Sequence, residues 1–228
     1  AGIHTVNLCA VAWDIDGTLI DSESVHLLAL QKVCHTYKVD ISDLPAEHFV
    51  GVNLYQVWQA LAKRFGGNLT QAEWIAELNQ HYLALAHRIE PLPGAYELVQ
   101  ALTARGVTQV AVSNSNRAVV DANLAVRQLA SHMRFSISLD DVATGKPDPA
   151  PYLQATSRLN LLPTQVLVIE DSLTGLRSAK AAGLYALGYA AHAKVAGMDA
   201  IADAVVSHLD QVLTTVNFEV SHGIHHSS

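Results

Sequence analysis

The spacing of apolar residues along the chain changes character twice, and the three regimes predict different structure. A largely apolar run from Val6 to Trp13 suits a buried strand ending at Asp14. From Ser22 to about residue 90 the spacing is helical. Val25, Leu27, Leu28, Leu30, Val33 and Tyr37 fall on one helix, and Leu54, Val57, Trp58, Leu61 and Phe65 on a second. Gly66-Gly67 breaks the chain, and Thr70 with Glu73 forms a capping box for a third helix running to about His87. No strand is expected in this block. After Pro91-Leu92-Pro93-Gly94, helices at 95–105, 117–130, 149–159, 173–182 and 208–216 alternate with strands at 108–113, 135–138, 165–170 and 184–188.

Uninterrupted apolar strands such as Val166 to Ile169 are covered on both faces, which implies a parallel sheet with crossover helices. The predicted fold class is α/β: a Rossmann-like, doubly wound parallel-sheet core built from residues 1–22 and 91–228, with an α-helical block, 23–90, inserted after the first strand. Ligands of such sheets collect at the carboxyl ends of the strands. Asp14, Ser113 and Asp171 each stand at such an end, so distant segments converge on one crevice.

Composition narrows the partners. Half of the 228 residues are hydrophobic, and 14 basic against 21 acidic residues give a net charge of −7. That balance argues against nucleic acid, which needs clustered positive charge. No stretch reaches the roughly 18–20 apolar residues of a membrane span, and two cysteines, Cys9 and Cys34, make neither a zinc site nor a disulfide framework. A cytoplasmic protein, monomer or homodimer, is the expectation. The three histidines of the tail, at 222, 225 and 226, read as a solvated terminus.

Chemistry concentrates in Trp13-Asp14-Ile15-Asp16-Gly17-Thr18. Period-2 alternation turns Ile15 one way and Asp14 and Asp16 the other, so two carboxylates are expected to face one point. Like charges so close need a cation, a shared proton or both. Glu170 and Asp171 add two more acids at another strand end, whereas Lys146, fixed between Gly145 and Pro147, returns one positive charge. Oxygen donors with no adjacent His or Cys suit Mg2+ better than zinc. Ser113 and Asn114 offer short hydrogen-bond donors for phosphate oxygens.

Taken together, Asp14-Ile15-Asp16, Ser113-Asn114, Lys146 and Glu170-Asp171 resemble, in order, the four motifs of the haloacid-dehalogenase-like phosphohydrolases. The resemblance spans nearly the whole chain and implies that residues 23–90 are a cap closing over the site. It implies Asp14 as the nucleophile forming an aspartyl-phosphate, and Asp16 as general acid and base, its pKa pushed toward neutrality by neighbouring acids. Metal binding is implied for the Asp14 carboxylate, the Asp16 backbone carbonyl and the Asp171 carboxylate, with Glu170 acting through water. Ser113, Asn114 and Lys146 are implied as phosphate binders. The expected partner is a small phosphorylated metabolite, such as a sugar phosphate.

The resemblance leaves phosphatase and sugar phosphomutase to be separated. In the segment Gly51-Val52-Asn53-Leu54, Leu54 stands where the mutases carry an arginine, which favours hydrolysis. Lys63 and Arg64 are alternative sources of charge in the cap. His26 matches a mutase histidine, and Glu23, His26 and Asn53 are the candidate substrate contacts of the cap. Trp58, Trp74 and Tyr55 are expected as cap core rather than as a sugar-stacking platform. A dehalogenase would lack Asp16, and a non-catalytic phosphate-binding protein would have no need of the full set.

Overall fold

In the computed structural model, which describes residues 7–49 and 52–219, strand β1 (Ala10–Trp13) lies at the centre of a six-stranded sheet. Its neighbours are β4 (Thr108–Val112) on one side and β6 (Val166–Glu170) on the other. The sheet continues to β5 (Ser136–Ile137) beyond β4, and to β7 (Tyr185–Tyr189) and β8 (Ala204–Val206) beyond β6; all pairings are parallel. Alternation along β1 explains the two cores. Val11 and Trp13 pack on one face with Ala111, Leu167 and Ile169, while Ala10 and Ala12 pack on the other with Val110, Val112 and Val168. Both faces are covered by helices, the doubly wound α/β arrangement.

The covering helices are α4 (Ala95–Ala104), α5 (Arg117–Ala125), α6 (Ala150–Leu159), α7 (Leu173–Ala181), α8 (Met198–Ile201) and α9 (Val212–Thr215). Between the two-residue strands β2 (Ile20–Asp21) and β3 (Glu90–Pro91) run α1 (Glu23–Thr36), α2 (Leu54–Leu61) and α3 (Gln71–Leu85). β2 and β3 pair antiparallel, Ile20 with Pro91 and Asp21 with Glu90, so the chain leaves and re-enters the sheet region side by side. The Thr70–Glu73 capping box at the start of α3 is formed in both directions.

Several boundaries differ from the periodicity. Glu90 belongs to a strand, so the helical block does end in one; two residues carry too little pattern to read. The helix expected at 117–130 stops at Ala125, because Arg127 and Gln128 take left-handed backbone angles before a 3₁₀ segment resumes. β8 escapes sequence reading because Ala204–Val206 follows Met198–Ile201 at helical spacing. Among the described residues no helix is long and apolar enough to cross a membrane. The tail histidines and Gly51 lie outside the described residues.

Candidate active site

β1 ends at Trp13, and the chain then coils tightly. The carbonyl of Ile15 accepts hydrogen bonds from the amides of Thr18, Leu19 and Ile20, at 3.2, 2.9 and 3.2 Å. Gly17 sits in that coil with φ +79°, and a Cβ there would lie 2.3 Å from Oδ2 of Asp171, so both backbone sign and space demand glycine. The coil brings the Asp14 and Asp171 carboxylates to one hydroxyl: Thr18 Oγ1 stands 3.1 Å from Asp14 Oδ2 and 3.1 Å from Asp171 Oδ1.

Lys146 enters the same space from the opposite wall. Its buried Nζ donates to Asp14 Oδ1 at 2.9 Å, to Glu170 Oε1 at 2.6 Å and to the Val112 carbonyl at 2.7 Å. Asn114 clamps the Lys146 backbone from both sides, accepting its N–H at 2.8 Å and donating to its carbonyl at 3.0 Å. The Asn114 side-chain amide is thereby committed to the lysine backbone. Glu170 is fully buried, and Tyr152 donates to its Oε1 at 2.6 Å. Its carboxylate lies so close beneath α7 that a Cβ on Gly175 would fall 2.0 Å from it.

Oxygens of Asp14, Glu170 and Asp171 lie within 4.8 Å of one another. Burial and then the Asp14 charge drive Asp171 well above the ordinary carboxylate range, and the same two causes push Glu170 up to about 8 against the donors Lys146 and Tyr152. Burial opposes the Lys146 charge, but Asp14 and Glu170 outweigh it and raise its pKa. Three carboxylates against one ammonium leave a negative excess, and Glu170 Oε2 is buried with no hydrogen-bond partner among the described residues. An all-oxygen cluster with an unmatched buried oxygen is compatible with a divalent metal ion.

Asp16 behaves differently from the expectation. Its side chain takes no part in that cluster. Its Oδ1 accepts from Ser22 Oγ at 2.6 Å and Asn123 Nδ2 at 3.1 Å and lies 2.8 Å from His26 Nε2. Ser115 and Ser113 hydroxyls donate to Oδ2 at 2.8 and 3.4 Å. Neighbouring acids do not raise its pKa. Burial does raise it, but His26 and the hydroxyl donors prevail and hold it well below the ordinary range.

Asp14, Asp16, Ser113, Asn114, Ser115, Lys146, Glu170 and Asp171 line one cleft of about 1260 Å³, counting space open to solvent. Glu23, His26 and Asn53 line it too, so the structure brings every predicted site residue to one place. Of the cap aromatics, Trp74 is buried and lines the cleft, whereas Tyr55 is exposed rather than core. Arg64 is bound to Asp43 at 2.7 and 2.9 Å, and neither it nor Lys63 lines the cleft. Sequence reasoning did not assign Thr18, Ser22, Ser115, Asn123, Tyr152 or Gly175. The first three sit within or beside the motifs and were readable there; Asn123, Tyr152 and Gly175 lie on helices whose patterns give no such signal.

The haloacid dehalogenase-like hydrolase family model matches residues 11–189, and the chain belongs to that family. It is an enzyme of the family's phosphatase kind. It is 29% identical over 86% of its length to the bifunctional riboflavin kinase/FMN phosphatase of Arabidopsis thaliana, of which it spans about half, 52%. It is 31% identical over 77% of its length to validoxylamine A 7'-phosphate phosphatase of Streptomyces hygroscopicus subsp. limoneus, covering 83% of that protein. In three dimensions it is similar to CbbY from Rhodobacter sphaeroides, solved in complex with phosphate, with TM-score 0.75, 23% identity, and 88% and 94% of the two chains covered.

Proposed function

We propose that the chain hydrolyses small phosphate monoesters through an aspartyl-phosphate on Asp14, with Mg2+ as cofactor. The observation that carries this reading is the Asp14 carboxylate, held at the cleft between Lys146 Nζ and Thr18 Oγ1 and backed by Asp171 and Glu170. An Asp14 oxygen attacks phosphorus, the bond from phosphorus to the alcohol oxygen breaks, and the departing alkoxide takes a proton. Water then attacks the acyl phosphate, losing its proton to a base, and releases inorganic phosphate with Asp14 restored. Lys146, Ser113 and Asn114 would serve the phosphate oxygens, Lys146 by its charge beside Asp14 and the Ser113 hydroxyl by exchanging its long bond to Asp16 for one to phosphate. Asp14, Asp171 and the Asp16 backbone carbonyl would hold Mg2+, with Glu170 behind them. The bound ion would offset charge that otherwise repels the nucleophile.

Asp16 is the assigned acid and base. Surrounded by donors, it is ionised but only weakly basic as it stands; both taking a proton from water and delivering one to the alkoxide require His26, Ser22 or Asn123 to release it first. This links proton delivery to the hinge and cap, since Ser22 adjoins β2 and His26 lies on α1. Hydrolysis is favoured over phosphomutase chemistry because a mutase anchors a second phosphate, and no cap Lys or Arg lines the cleft among the described residues. Leu54 supplies none in place of an arginine.

The test is Asp14→Asn assayed for phosphate release from a panel of phosphorylated metabolites. Turnover is expected to fall by a factor on the order of 10³ or more, with no phosphate retained on the protein. Full activity in that variant would overturn the reading.

A further inference from the structure

The far side of the cleft, away from Asp14 and Lys146, is made by the inserted helices, and its chemistry is unlike that of the strand tips. Leu30, Val57, Trp74 and Leu78 are buried there, and Phe49 and Leu54 are half-buried. Its polar groups are mostly spoken for. Asn79 Oδ1 accepts from Asn116 at 2.9 Å, and Asn53 Oδ1 accepts from the Tyr55 amide at 2.8 Å. His26 is held by Asp16, and the Tyr82 hydroxyl donates to Asn123. What remains is the two asparagine NH2 groups, the Glu23 carboxylate and one further donor. That donor is the indole N–H of Trp74, a cleft-lining residue that is fully buried yet has no hydrogen-bond partner among the described residues.

We propose that the alcohol portion of the substrate is neutral, mostly apolar and ring-sized, with an ether or carbonyl oxygen to accept from Trp74, rather than a polyhydroxylated sugar or a second anion. The inference rests on the phosphatase reading above and narrows its substrate class. Burying a sugar against these side chains would strip water from several hydroxyls and return few partners, which penalises binding. An apolar ring gains from the same surface. A second phosphate or carboxylate would meet Glu23 and no cation from the cap.

The experiment compares three esters that share a six-membered ring and a primary CH2–O–phosphate linkage: glucose 6-phosphate, cyclohexylmethyl phosphate and tetrahydropyran-2-ylmethyl phosphate. With wild-type enzyme and saturating Mg2+, kcat/KM for cyclohexylmethyl phosphate is expected to exceed that for glucose 6-phosphate at least tenfold, chiefly through KM. The tetrahydropyranyl ester, with its single ring oxygen, should be better again by severalfold, and that last advantage should vanish in Trp74→Phe. Glucose 6-phosphate turned over as well as or better than cyclohexylmethyl phosphate would overturn the substrate class while leaving the phosphatase reading intact. Failure of the enzyme to hydrolyse any ester of this set or of the metabolite panel would overturn both. Equal use of the two apolar rings by the wild type would remove Trp74 from the proposal. The wild-type comparison stands whether or not Trp74→Phe folds.

Discussion

Asp14 and Asp16 are two residues apart and line one cleft, yet they live in opposite surroundings. Asp14 is held by groups of the core alone: Lys146, Thr18 and, across the cluster, Glu170 and Asp171. Those neighbours are mostly acids, so its half of the site carries excess negative charge in a buried place. Asp16 is held by donors drawn from three places: Ser22 beside β2, His26 on α1, and Asn123, Ser113 and Ser115 of the core. The difference follows from the coil at Ile15, which sends the two side chains to different partners although both leave the same strand end. One half is a charge problem of the kind a divalent cation would solve. The other is a hydrogen-bonding junction that connects Asp16 to β2 and the inserted helices.

The largest effect separating the two halves is expected from Asp16→Asn. If Asp16 acts on protons and Asp14 on phosphorus, turnover of an alkyl phosphate should fall by roughly 10²- to 10⁴-fold. A 4-nitrophenyl ester, whose leaving group needs no proton, should still give a burst of nitrophenolate before hydrolysis of the intermediate stalls. Rapid-mixing absorbance distinguishes the two; loss of the burst would place Asp16 in phosphoryl transfer and remove the distinction.

Next in size is the contrast in stability. Lys146→Met leaves Asp14 and Glu170 facing each other in a buried site, and loss of one partner from such a pair costs about 3–5 kcal/mol. Urea unfolding in the presence of a chelator measures it. His26→Ala removes the imidazole partner of Asp16, but that pair is partly exposed, so the cost should stay within about 1 kcal/mol. Equal losses would show that the two halves are not electrostatically distinct.

The sequence made the Asp14 half legible and the Asp16 half much less so. Every charged member of the first sits inside a motif, and its acids sit at strand ends, because a residue that must point out of the carboxyl edge of a parallel sheet is tied to the end of an apolar run; Lys146 comes from a loop and is marked instead by its Gly145 and Pro147 neighbours. Asn123 lies within a helix, flanked by Val119, Val120 and Leu124, and reads as a helix interior. Only the packing of α5 against α3 reveals why a fully buried amide is there. The sign of the Asp16 shift was misread because the neighbouring acids were weighed, whereas His26, Ser22 and Ser115, which no motif ties to Asp16, decide it. The strands β2, β3 and β8 were missed because two or three residues carry too few turns of any period.

A smaller effect, opposite in sign between the halves, concerns pH. In metal-free protein Glu170 and Asp171 have raised pKa values, so the folded state holds protons more tightly than the unfolded chain. The Glu170 contribution is complete below its ordinary value of 4.5 and is lost as pH rises through about 8; that of Asp171 is lost likewise as pH rises through its own raised value. Asp16, with a lowered pKa, contributes above its ordinary 3.8 and loses that contribution only as pH falls through its depressed value. Between pH 5 and 8 the Asp14 half should therefore govern. With a chelator, Tm should drop over that range by at least roughly 3 °C, about what 1 kcal/mol produces in a domain of this size. Saturating Mg2+ should shrink the drop. A drop that Mg2+ leaves unchanged, measured by calorimetry, would remove the cation from the charge argument.

The smallest expected effect tests whether the Asp16 half reaches into the inserted helices. Tyr82 lies on α3, its ring stacked on His26 at 4.4 Å, and its hydroxyl donates to Asn123, which donates to Asp16. Tyr82 touches Asp16 only through other residues, so it is a positioning residue. Tyr82→Phe keeps the ring and removes the hydroxyl, freeing the Asn123 amide to turn away from Asp16. One neutral hydrogen bond is worth about 0.5–1.5 kcal/mol, which corresponds to roughly a threefold to tenfold fall in kcat. That fall should appear with alkyl phosphates at unchanged KM and be absent from the nitrophenolate burst, since only proton delivery depends on Asp16. A loss of equal size in the burst would mean that Tyr82 shapes the cleft as a whole, and the junction around Asp16 would then end at Asn123.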